Sequence, residues 1–73
     1  MRIALLGTGV MGRAVLSSFV AADGVSSVVV TDVRGEAARA TAAEYLASDV
    51  TVTASPRNSE AVSGADVVVF AVK

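Results

Sequence analysis

Apolar positions in this chain fall into four short runs separated by stretches of a different period. The runs are Ile3 to Leu6, Val28 to Asp32, Val50 to Thr53 and Asp66 to Lys73. Short, nearly continuous apolar runs rich in Val and Ile are what strands covered on both faces look like. Val50-Thr-Val-Thr53 alternates instead and reads as a shorter third strand. Pro56 ends it, because proline cannot donate to a ladder. From Val10 the period becomes three and four: Met11, Ala14, Val15, Phe19 and Ala22 predict a helix over 10–22 with that face on the sheet. Gly24 suits the left-handed C′ position after it. The Ala-rich stretch 35–47 predicts a second helix, with Ala38, Ala42, Tyr45 and Leu46 as its buried stripe. A short third helix is predicted over 58–63, with Asn58 or Ser59 as its N-cap.

The resulting order β-α-β-α-β-α-β, with right-handed crossovers, predicts an α/β fold with a parallel sheet of order 3-2-1-4. The first two helices then share one face, and only the short third helix covers the other. The fourth strand is apolar on both sides, with nothing after it to cover it. Residues 1–73 are therefore expected to be one N-terminal domain, a piece of something longer or a chain that associates through its open face.

Composition removes several classes of function. The chain of 73 residues has a formal net charge of −1, with its charges scattered, so clustered cations for nucleic acid or anionic membrane are absent. It has no Cys and no His. Disulfides, thiolate or imidazole metal sites, a Cys nucleophile and a His base are thereby excluded, and no metal or catalytic residue is assigned. The opening apolar run is too short for a signal-peptide core or a membrane span, and a cytoplasmic location is the expectation.

The chemistry concentrates between the first two strands. Gly7-Thr8-Gly9-Val10-Met11-Gly12 has the spacing GxGxxG, and Asp32 lies 20 residues after Gly12. The motif follows a strand, opens a helix and belongs to a βαβ unit, the context in which it holds a dinucleotide. Gly7 permits the tight turn, Gly9 lets the backbone approach a pyrophosphate, and Gly12 lets the helix pack on the sheet. The N–H groups of Thr8 to Met11 and the helix dipole form the anion site. Asp32 is placed to accept from ribose hydroxyls, which favours NAD. Arg34 is the kind of residue that pairs with a 2′-phosphate, which favours NADP. Arg13 opposes the helix dipole and reads as a surface residue. Met11, Phe19 and Tyr45 read as core.

With the fourth strand in view, this incomplete, four-strand Rossmann-type chain resembles the N-terminal cofactor domain of pyrroline-5-carboxylate reductases. The stretches that carry the resemblance are Arg2-Ile-Ala-Leu-Leu-Gly-Thr-Gly-Val-Met-Gly12, Asn58-Ser-Glu-Ala-Val62 and Ala65-Asp-Val-Val-Val-Phe-Ala-Val-Lys73. Val10 stands where those reductases often have Asn. That departure keeps the related 6-phosphogluconate and 3-hydroxyisobutyrate dehydrogenases open, as well as a stand-alone nucleotide-binding module. The resemblance implies that Leu6 to Met11 hold the pyrophosphate and that Asn58 contacts the adenosine side. It places Ala71, Val72 and Lys73 along the nicotinamide ribose. It further implies a preference for NADP, imine reduction giving proline, and a C-terminal helical domain carrying substrate and homo-oligomer contacts. The 73 residues alone are expected to be inactive.

Overall fold

The apolar runs become strands, the first two well covered by their neighbours and the fourth largely exposed. A computed structural model describes residues 1–71 and gives β1 (Arg2–Leu6), α1 (Val10–Ala21), β2 (Ser27–Thr31), α2 (Gly35–Ala43), β3 (Thr51–Ala54), α3 (Asn58–Val62) and β4 (Val67–Phe70). All pairings are parallel, and the sheet order is β3-β2-β1-β4. Ile3 faces Val28 and Val67 across the ladders, and Leu5 faces Val30 and Val69. No helix among the described residues is long and apolar enough to cross a membrane.

The alternation along β1 divides the core. Ile3 and Leu5 join Val28, Val30 and Val52 under Leu16 of α1 and Ala38 and Ala42 of α2. Ala4 and Leu6 point the other way and meet Ala61 of α3. That second face is thinly covered: Val68 and Phe70 lie beside Ala4 and Leu6 in register, and Phe70 is 72% exposed.

Several boundaries and faces differ from the sequence expectation. The buried edge of α1 is Gly12 and Leu16, with Val15, Phe19 and Val20 partly buried, whereas Met11, Ala14 and Ala22 are exposed. The cause is Gly12, whose lack of a side chain lets that edge lie against the turn and swings Met11 outward. Gly24 does adopt a positive φ of 87°, but the C-cap is Ala22, so it stands one position beyond C′. Helix α2 stops at Ala43, where Glu44, Tyr45 and Ser48 turn to bonds on the third carbonyl back. Leu46 is consequently exposed, and Thr41 takes its place in the buried stripe. Arg57, not Asn58 or Ser59, is the N-cap residue of α3. Strand β4 begins at Val67, and Asp66 just before it accepts the Arg2 N–H with its side chain.

Candidate functional site

The site is built at the carboxyl ends of β1 and β2, the crevice where open parallel sheets receive ligands. Gly7 leaves β1 at φ 111°, a conformation rare for L side chains, and its N–H donates to the Thr31 carbonyl at 2.8 Å. The turn is thereby tied to the end of β2. Gly12 closes the next constraint. A Cβ there would lie 3.0 Å from the Gly7 carbonyl carbon, closer still to its oxygen, and 3.4 Å from the Ala71 Cβ. Helix α1 approaches the strands this closely only because residue 12 is glycine.

Gly9 is different. Its φ of −66° is ordinary, and a Cβ added there would meet nothing within 4 Å. The fold therefore leaves open space where the backbone is expected to meet a ligand. Gly9 is also the N-cap of α1, with no side-chain cap and no acidic residue in the first turn. Arg13 N–H is the first to bond back along the helix, to Gly9 O at 2.9 Å. The N–H groups of Gly9, Val10 and Met11 find no acceptor among the described residues. Such first-turn donors, with the positive end of the dipole behind them, make an anion site.

Thr8 departs from the expectation for that site. Its N–H donates to Asp32 Oδ2 at 2.9 Å, and its hydroxyl donates to the same oxygen at 2.7 Å. Asp32 Oδ1 accepts the Arg34 N–H at 3.0 Å, closing a local turn at the end of β2. The Arg34 N–H first, then the Thr8 hydroxyl and N–H, hold the Asp32 carboxyl below its ordinary pKa. One residue before Asp32, the Thr31 hydroxyl donates to Asn58 Oδ1 at 2.5 Å. Thr31 thus joins the glycine turn to the start of α3.

These groups surround a cleft of about 840 Å³. That is a size suited to a small organic ligand or a large part of a dinucleotide, since such sites span roughly 300–1,000 Å³. Leu6, Gly7, Thr8, Gly9, Val10 and Met11 form one wall; Asp32, Asn58 and Ala71 complete it. Gly12 lies buried beneath that wall, and Arg34 caps α2 just outside it. Val72 and Lys73 lie outside the described residues. Ala14, Thr31 and Val33 also line the cleft and were missed from sequence. Thr31 was readable as the last residue of β2, and Ala14 as the position one turn after Val10. At the mouth Val10, Met11 and Val33 are 91%, 69% and 103% exposed. Met11, expected in the core, is a cleft residue instead. An apolar rim around polar donors is what an aromatic-bearing anion requires.

Arg13 pairs with Glu44 of the α2 C-terminus at 2.5 Å, both half-exposed, which keeps its charge off the cleft. A family model described as NADP oxidoreductase, coenzyme F420-dependent, matches residues 2–73. No curated protein matches the chain.

Proposed function

The chain belongs to the family of coenzyme F420-dependent NADP oxidoreductases, and we propose that it holds a nicotinamide dinucleotide, NADP before NAD, along this cleft. The observation that carries the reading is the trio of unengaged N–H groups on Gly9, Val10 and Met11 beside the open space at Gly9. The pyrophosphate sits on those donors. Val10, Met11 and Val33 shield the apolar faces of the cofactor from water, and Asn58 reaches the adenosine side. Arg34 offers its guanidinium to a 2′-phosphate, and Ala71 to Lys73 border the nicotinamide ribose.

When bound, the reduced nicotinamide supplies a hydride. The residues of this chain bind and orient it, and none of them is assigned as an acid or base. The reaction proposed is reduction of 1-pyrroline-5-carboxylate: the imine nitrogen takes a proton, its carbon takes the hydride, and proline results. Support comes from the opening block through Gly12, the Asn58-Ser-Glu60 segment and the Ala65 to Lys73 block. In that reading a helical domain beyond these residues supplies substrate contacts and the homo-oligomer interface. The description of the family favours a second acceptor, coenzyme F420.

Calorimetric titration of the 73-residue chain with NADPH, NADH and ADP-ribose tests cofactor binding. Micromolar affinity for NADPH is expected, and binding of none of the three overturns it. Turnover is tested on the protein that carries this segment, with either acceptor. The 73 residues alone are expected to show none, and measurable NADPH oxidation by them would refute that division of labour.

A further inference from the structure

We propose that Asp32 is a positioning residue that clamps the glycine turn through Thr8, and that it does not read the adenosine ribose. The inference rests on the dinucleotide reading above. A carboxylate offers about four acceptor positions, two on each oxygen. Thr8 fills both positions on Oδ2, with its N–H at 2.9 Å and its hydroxyl at 2.7 Å. The Arg34 N–H takes one on Oδ1 at 3.0 Å. One position remains, whereas gripping both hydroxyls of a ribose needs two.

Thr8 is buried and Asp32 partly exposed, and because the acceptor is charged the two bonds are stronger than neutral ones. Their placement explains why they matter. Thr8 sits between Gly7, which turns the chain, and Gly9, which opens the anion site. Fixing Thr8 to the end of β2 holds the N–H groups of Gly9, Val10 and Met11 in one orientation before any ligand arrives. The same geometry removes the feature that would make the site prefer NAD. Discrimination at the ribose passes to Arg34, whose N–H is held by Asp32 Oδ1 and whose guanidinium is in no ion pair among the described residues.

Four variants separate clamp from ribose reader: Asp32→Ala, Thr8→Val, Thr8→Ser and Arg34→Ala, each titrated with NADPH and NADH. As a clamp, Asp32→Ala and Thr8→Val weaken both cofactors alike, by about tenfold, the scale of one hydrogen bond to a charged group. Thr8→Ser, which keeps the hydroxyl, restores affinity, and Arg34→Ala weakens NADPH alone. As a ribose reader, Asp32→Ala would weaken NADH selectively and Thr8→Val would leave both unchanged; that result overturns the proposal. The amide resonance of Thr8 gives a readout that needs no cofactor. It is expected to move upfield and lose protection from exchange in Asp32→Ala, and an unchanged resonance also overturns the clamp. Failure of the wild-type chain to bind any dinucleotide would defeat the cofactor reading while leaving that amide test decisive for the clamp.

Discussion

The two ends of the parallel sheet treat their backbone groups in opposite ways. At the amino end the chain satisfies itself. Arg2 N–H meets Asp66 Oδ2 at 2.8 Å, and Asp66 N–H returns to the Arg2 carbonyl at 2.7 Å. The Met1 carbonyl takes both the N–H and the hydroxyl of Ser26, and the Met1 amine donates to the Gly24 carbonyl. At the carboxyl end the N–H groups of Gly9 to Gly12, at the start of α1, meet no acceptor among the described residues, and those of Gly9, Val10 and Met11 lie under an apolar rim around an open cleft. Every α-helix leaves its first-turn N–H groups without intrahelical partners, and what sets those of α1 apart is the cleft they open onto. Within the carboxyl end the division repeats between two glycines: Gly12 is required by packing, whereas a Cβ at Gly9 would meet nothing within 4 Å among the described residues.

Gly12→Ala is expected to have the largest effect. The added methyl would collide with the Gly7 backbone, and overpacking of this kind costs about 1–3 kcal/mol or more. For a domain of this size, with total stability of roughly 4–11 kcal/mol, cofactor binding and thermal stability should fall together. A variant with unchanged melting temperature would break the packing account of Gly12. Gly9→Ser sharpens the comparison because its two effects have opposite signs. Serine is a good N-cap and leaves stability unchanged or raises it by a few tenths of a kcal/mol. Its side chain fills the open space and competes for the first-turn donors, so NADPH affinity should drop about tenfold. Parallel melting and titration curves check both.

Asp66→Ala probes the closed end. It removes an exposed hydrogen bond and should cost about 0.5–1 kcal/mol with no change in cofactor affinity. Val33→Ser should change stability by less than about 0.5 kcal/mol, as for any solvent-exposed site. It should weaken NADPH binding only a few-fold, because Val33 contributes part of the apolar rim.

The smallest effect is on pH. Asp32 has its folded pKa lowered, first by the Arg34 N–H and then by Thr8. The unfolded chain therefore binds the proton more readily, and the clamp contributes its full stability above the ordinary carboxylate value of about 3.9. That contribution is lost as pH falls through the lower folded value. Stability in the wild type minus that in Asp32→Asn should be flat from neutral pH to about 5 and shrink only below about 4. A decline already complete at pH 5 would contradict the hydrogen bonds at Asp32.

Much of this was legible in the sequence because it depends on local signals. The four apolar runs carry the strand order, and the glycine spacing with the acid after β2 points to the end of the sheet where the cleft lies. What was not legible depended on side-chain direction. Met11 and Leu16 are both apolar, and only the close approach at Gly12 decides that Leu16 goes inward and Met11 to the cleft. Leu46 looked like a continuation of the α2 stripe, but the helix tightens and ends before it. Spacing singles out Asp32, yet its partners come from residues 24 positions away and within its own turn. No local pattern announces that both of its oxygens are engaged.

The most direct test follows the amides of the isotope-labelled chain during titration with NADPH. The account predicts shifts at Gly9, Val10 and Met11, smaller ones at Val33 and Asn58, and none at Arg2, Ser26 or Asp66. Shifts centred on the amino end of the sheet, or none at the glycine turn at saturating NADPH, would contradict it.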